Sequence, residues 1–235
     1  MRPSVLARLT GAVYLLYFLT AVAGGLLAPG IAGPGPAPDG PALASTIATH
    51  ASTYELAVAL GLVSTALYVA LAGLFYNLFR PVSRALAVLM AFFSLVGCAV
   101  TGLGGVFQLA PVALLGGDQY LKVFSAEQLQ AQALLFLNLN GEAGRVALVF
   151  FGCFQLFLGY LIVRSRFLPW IIGVLIGVAG VGWLTVLSPA LPGWLLTGEE
   201  VLGFAAEAAL MLWLLVIGVS ERRWTELQGR PPAAP

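Results

Sequence analysis

VALVFFGCFQLFLGYLIVRSRFLPWIIGVLIGVAGVGWLTVL, residues 146–187, is the stretch on which the fold turns. It holds two apolar runs, Val146 to Val163 and Leu168 to Leu187, separated by Arg164-Ser165-Arg166-Phe167. Roughly 20 apolar residues in a helix cross a hydrocarbon core about 30 Å thick, so each run is long enough to span. Neither run alternates apolar with polar residues as a barrel strand would, and in lipid every backbone N–H and C=O needs an internal partner. The pair therefore predicts two transmembrane helices joined by a tight basic turn, with Leu168-Pro169 marking a helix start where a missing N–H costs nothing.

The same pattern extends in both directions. Further runs lie at Leu9 to Leu27, Leu56 to Phe79, Ala85 to Leu109 and Val201 to Val219, which makes six spans and an all-α polytopic membrane protein in a single domain of residues 1–235. Composition agrees: 60% apolar residues, 9% charged and a mean hydropathy of +0.97 leave too little polar surface to cover a water-soluble domain. A net charge of +1 supplies no field to recruit nucleic acid.

Charge placement orients the spans. Arg2, Arg8, Arg80, Arg84, Arg164, Arg166, Arg222, Arg223 and Arg230 fall in one set of connections, nine in all, whereas the other set holds only Lys122 and Arg145 beside Asp39, Glu55, Asp118, Glu127, Glu142, Glu199 and Glu200. The positive-inside rule then puts both termini in the cytoplasm, with the chain in the inner (plasma) membrane. A cleavable leader ending at Ala21-Val22-Ala23 is the competing reading of the N-terminus. Continuation of the apolar run to Leu27, with Tyr14 and Tyr17 as polar handles, favours a retained span.

Three outer loops follow, residues 28–52, 110–145 and 188–200. The first opens with a Pro/Gly-rich stretch through Pro41 and turns helix-permissive from Ala42. The second contains Ser125-Ala126-Glu127-Gln128, which has the form of a capping box. Behind it Leu129, Ala133, Phe136 and Leu137 share one face, with Gln128 and Gln132 off it. That predicts a short amphipathic helix feeding the fourth span.

Few polar groups enter the spans. Glu207 lies about two turns inside the sixth, where an ionisable side chain is costly and is by default a functional candidate. Glu200, Gly203, Glu207, Met211, Leu214 and Gly218 recur at steps of three or four and share a face. Gly141, Arg145, Leu148, Gly152, Gln155 and Gly159 do the same in the fourth span, and Gly97, Thr101, Gly104 and Gln108 in the third. These stripes predict a polar pocket, open to the outer side, built from Glu207, Arg145, Gln155 and Gln108 with Tyr17 and Tyr68, in which Arg145 pairs with Glu207. The plainer alternative is that these groups bond one another and lock helix packing, each such bond contributing about 0.6 kcal/mol.

Other chemistry lacks its parts. His50 is the only histidine, in a surface loop by this reading, so neither a zinc site nor a Ser–His nucleophile can be assembled, and no catalytic, metal or cofactor residue is assigned. Cys98 and Cys153 fall mid-span and read as small core residues rather than a disulfide. Gly173 and Gly177 form a G-x-x-x-G whose face serves either homo-oligomerisation or packing within the chain. Trp170, Trp183, Trp194 and Trp224 lie near span ends and read as headgroup anchors.

Four stretches spread over almost the entire chain resemble an uncharacterised prokaryotic membrane family, domain of unknown function 4386. They are Arg8-Leu9-Thr10-Gly11 with Tyr14-Leu15-Leu16; Leu78-Phe79-Arg80-Pro81-Val82 with Arg84; Phe150-Phe151-Gly152 through Gly159-Tyr160-Leu161, Arg164-Ser165 and Leu168-Pro169; and Glu207 with Trp213-Leu214-Leu215 and Gly218-Val219. The resemblance implies six membrane helices and supports Glu207 as a motif position, and it carries no activity to transfer. Three functional classes remain: a binding or transport protein for a small molecule or lipid, an intramembrane lipid-modifying enzyme using Glu207 as acid or base, and an interaction subunit without a pocket. The missing partner nucleophile weighs against the second.

Overall fold

The computed structural model describes residues 2–28, 39–116, 119–188 and 193–229, without the side chains of residues 120 and 193–200. Among the described residues seven α-helices follow one another: α1 (Pro3–Leu27), α2 (Gly40–Phe79), α3 (Arg84–Leu115), α4 (Ala126–Ser165), α5 (Trp170–Leu184), α6 (Gly193–Val216) and α7 (Glu221–Gln228). Short 3₁₀ turns occupy Gln119–Val123 and Thr185–Leu187, and the described residues include no strand. Among the described residues five helices are long and apolar enough to cross a membrane, and a sixth span is counted if Val201–Val216 and α7, bent by 94°, are taken together. The chain is thus a multi-pass helical membrane protein.

The predicted sixth span, Val201 to Val219, stops short at Val216. Gly218 adopts φ of 79°, and the N–H groups of Ile217 and Gly218 both bond the Trp213 carbonyl, a helix-closing pattern that suits a glycine in the left-handed region. Beyond it the chain turns into α7.

All three predicted outer loops contain helix among the described residues, the third because α6 already begins at Gly193. α2 already begins at Gly40, where the Asp39 carboxylate accepts from the Ala42 N–H at 2.8 Å as an N-cap. Pro41 sits in the first turn, where no N–H is required. Likewise α4 starts at the expected capping box: the Ser125 N–H donates to Gln128 Oε1 at 2.8 Å, and the Gln128 N–H donates to Ser125 Oγ at 3.3 Å. From there it runs unbroken for 40 residues into the fourth span, about 60 Å or twice the hydrocarbon thickness. A short helix followed by a separate span would have left backbone groups at the junction without partners.

By contacts the chain forms two compact units. The first comprises Met1–Leu15, Tyr68–Gly97 and Ala147–Pro235; the second comprises Leu16–Leu67 and Cys98–Val146. In the second unit Leu43 and Ile47 of α2 pack with Ala133 of α4, joined by Leu114, Leu115, Leu134 and Leu137. Phe107 and Phe136 add a ring contact at 6.2 Å. Of the apolar face expected on residues 129–137, Ala133 is buried in this cluster and Leu137 packs against it, while Leu129 and Phe136 are half-buried. His50 lies within α2 rather than in a loop: its φ of −136° and ψ of 31° break the helix, and its exposed ring bonds the Thr49 hydroxyl at 2.7 Å.

The first unit is held by glycines. A Cβ on Gly159 of α4 would stand 2.6 Å from the Gly173 carbonyl oxygen and 2.8 Å from the Gly177 nitrogen of α5, and one on Gly152 would stand 2.9 Å from the Gly180 oxygen. Backbones therefore touch directly, as small residues permit in lipid. The Gly173 face is occupied inside the chain, against α4. α1 approaches α6 in the same way, where a Cβ on Gly11 would lie 2.5 Å from the Leu215 nitrogen.

Candidate functional site

Glu207 belongs to the buried face of α6, together with Gly203, Ala206, Leu210, Met211, Leu214 and Gly218, whereas Phe204, Leu212, Val216 and Ile217 are exposed. The stripe read from three- and four-residue steps is thus the inward face from Gly203 on, with Gly218 just past the helix end and Glu200 outside the described side chains. The Glu207 carboxylate, 7% exposed, accepts a hydrogen bond from Gln155 Nε2, and Tyr14 of α1 is a polar neighbour of the same group. Gln155 is 1% exposed and Tyr14 wholly buried. Three helices, α1, α4 and α6, meet at one carboxyl group.

Local sequence explains how they reach it. Gln155 lies on the α4 stripe between Gly152 and Gly159, facing α5, where Gly180 leaves room for its side chain: a Cβ there would stand 3.0 Å from the Gln155 Cβ. Tyr14 follows Gly11 by one turn of α1, so the contact that fits Gly11 against Leu215 also turns Tyr14 toward α6. Tyr14 is the site residue that the sequence reading passed over in favour of Tyr17. The signal was present, since Gly11 and Tyr14 share a face.

Around these polar groups lies an aromatic wall. Tyr68, 5% exposed, packs edge-on against Tyr14, Phe151 and Phe154 with centroids 6.4, 5.3 and 5.8 Å away, and Tyr14 meets Phe75 at 5.8 Å. Quadrupolar ring edges favour this T-shaped geometry. Within the cluster, Gln155 Oε1 is buried with no hydrogen-bond partner among the described residues. A glutamine amide donates through nitrogen and accepts through oxygen, so with Nε2 given to Glu207 its acceptor side stays open to a donor.

The other three candidates belong to the second unit and have partners there. Arg145 bonds Glu142 Oε1 at 3.3 Å, one turn away, both side chains being more than half exposed. This replaces the expected Arg145 to Glu207 pairing, because a guanidinium on an exposed helix surface keeps its hydration and a nearby carboxylate costs less to reach. Gln108 contributes its carbonyl, which accepts from the Tyr54 hydroxyl. Pro111, inside α3, has no N–H to offer the neighbouring Phe107 carbonyl, four residues back. Tyr17, half-buried, packs edge-on against Phe18 at 5.4 Å.

Comparison with known families then bears on the motifs. The family described as domain of unknown function (DUF4386) matches residues 9–218. The chain belongs to the DUF4386 family. No curated protein and no solved structure matches it. The matched range of this DUF4386 protein includes Tyr14, Gln155 and Glu207 and ends at Gly218, the residue that closes α6. Among the described residues of the DUF4386 chain, no three His, Cys, Asp or Glu side chains come together as metal ligands.

Tryptophan roles differ from one another. Trp170 is 62% exposed, as an interfacial anchor would be, and Trp183 packs beside Gly203 and edge-on to Phe204. Trp224 is corrected from anchor to core: it is buried, and its Nε1–H donates to the Leu78 carbonyl at 2.9 Å. Trp194 lies outside the described side chains.

Proposed function

We propose that this membrane protein binds a small molecule or lipid at the cluster of Glu207, Gln155 and Tyr14, with both termini on the cytoplasmic side of the plasma membrane. The observation that carries the reading is a buried carboxyl whose polar neighbours are neutral, beside an amide oxygen with an unfilled acceptor position. A group that both donates a hydrogen bond and carries positive charge, such as an ammonium, complements it: the charge meets Glu207 and an N–H meets Gln155 Oε1. Tyr14, Tyr68 and Phe154 offer ring edges and faces suited to an apolar or cationic body. Arg2, Arg8 and the other arginines of the first unit, against Lys122 and Arg145 in the second, support the orientation.

The test is mass spectrometry of small molecules and lipids that co-purify with the wild-type protein and with Glu207→Gln, against a mock membrane preparation. A species enriched by wild type and lost in the variant, carrying an amine or other strong donor, is the expected result. Enrichment in neither preparation sinks the binding reading in favour of polar groups that only fix helix packing.

A further inference from the structure

A second site is built at the opposite extreme of polarity, on the surface where α7 meets the ends of α2 and α4. Three hydrogen bonds tie these segments together. Trp224 Nε1–H reaches the Leu78 carbonyl at 2.9 Å, the Ser220 N–H reaches the Phe167 carbonyl at 3.2 Å, and Arg223 Nη1 donates to the Arg166 carbonyl. Arg166 itself sits at φ of 55°, a left-handed conformation that a side chain rarely adopts. It is held there with its carbonyl and that of Phe167 both engaged by the C-terminal segment.

The consequence is a gathering of charge from three parts of the chain. Arg80, Arg164, Arg166, Arg222 and Arg223 are all exposed on these tied segments. The acidic side chains of α7 are Glu221 and Glu226, also exposed, and Glu226 takes Arg222 at 3.0 Å with the arginine side chain still 90% exposed. Arg164 donates to the Tyr160 hydroxyl at 3.0 Å. Five exposed guanidiniums and two exposed carboxylates thus lie on these tied segments.

We propose that this rim is a seat for the phosphate headgroups of anionic phospholipids. The fork of a guanidinium matches a phosphate with two parallel hydrogen bonds. The lipid source is favoured over free phosphate by what flanks the charges. Val163 beside Arg164, Trp170 after Pro169, and Val216 and Ile217 just before α7 are exposed at 41%, 62%, 68% and 58%. Apolar surface next to guanidiniums fits a molecule with acyl chains below its phosphate. The 94° bend lays α7 across the direction of Val201–Val216, along a bilayer surface if α6 crosses it. There polybasic segments gain about fivefold in anionic-lipid affinity per arginine.

The experiment is native mass spectrometry of the full chain in mild detergent, titrated with phosphatidylglycerol and phosphatidylcholine of matched acyl chains. Wild type retains phosphatidylglycerol in preference. Arg80→Gln with Arg222→Gln, neither of which holds the segments together, lowers that preference about 25-fold, and Arg222→Gln alone about fivefold. Glu226→Gln raises it by removing the competing carboxylate, a change of sign that loss of folding would not produce. Arg145→Gln, in the second unit, leaves it unchanged. Equal retention of the two lipids by wild type, an Arg145→Gln effect as large as that of the double variant, or displacement by inorganic phosphate at the lipid's own concentration would each overturn the proposal.

Discussion

Gly159→Ala is expected to destabilise the protein through one added methyl group. The new Cβ would stand 2.6 Å from the Gly173 oxygen, 2.8 Å from the Gly177 nitrogen and 3.0 Å from the Gly177 Cα, all backbone atoms, where ordinary contact begins at 3.4 Å. No side chain can swing aside, so α4 and α5 would have to part by roughly 0.8 Å and forfeit contacts along their length. Overpacking of this kind costs about 1–3 kcal/mol, against a helix-propensity gain of about 0.5–1 kcal/mol for alanine over glycine. The net loss is about 1–2 kcal/mol, a fall in unfolding midpoint of about 3–6 °C for a chain of this size. Within the G-x-x-x-G of α5 the two glycines should behave differently. Gly173→Ala places its Cβ 2.8 Å from the Gly159 oxygen and 2.9 Å from the Val163 nitrogen, whereas a Cβ on Gly177 meets nothing within 4 Å. Thermal unfolding in detergent, followed by circular dichroism and by reactivity of the buried Cys98 thiol, reads all three variants, with Gly61→Ala and Gly73→Ala as unobstructed controls. If Gly159→Ala and Gly173→Ala proved as stable as Gly177→Ala, the backbone contact between α4 and α5 would be refuted.

Gln155→Leu should cost about 1–3 kcal/mol by leaving the buried Glu207 carboxylate short of a donor, and Gln155→Leu with Glu207→Leu should recover part of that loss; strictly additive effects in a double-mutant cycle would count against the pair. Trp224→Phe keeps the ring but leaves the Leu78 carbonyl unbonded, so limited proteolysis should cut after Ser220 sooner than in wild type, and unchanged digestion would show that α7 docks without this bond. Ser125→Ala removes half of the capping box at a cost of about 1 kcal/mol to the first turns of α4, seen as faster amide exchange there. The same change should let the exposed Glu127 carboxyl, held below its usual range chiefly by the Ser125 hydroxyl, titrate closer to that range in carboxyl NMR. The Glu127 contribution to the wild-type helix start is fully present above the usual carboxyl range and is lost as pH falls from there through the lowered value.

Local information in the chain was enough for helix type, membrane environment, the inward face of α6 and the capping box at Ser125. Each depends on residues within a turn or two of one another, through periodicity, hydropathy and backbone hydrogen bonding. The same locality explains the misplaced elements. The polar surface of residues 126–145 reads as a loop with a short helix because exposed glutamines and glutamates resemble a connection, yet their apolar positions close on Leu43 and Ile47 and keep α4 continuous. Partner choice belongs to tertiary structure alone. A one-residue change of helix rotation turns a side chain by about 100°, and one turn of sliding moves it about 5.4 Å. Tyr14 rather than Tyr17 is decided by that register, which the glycine contact of α1 with α6 helps to set, and a buried rather than an interfacial Trp224 by the docking of α7 on the Leu78 carbonyl; the Arg145 to Glu142 pair, three residues apart on one helix, is by contrast local.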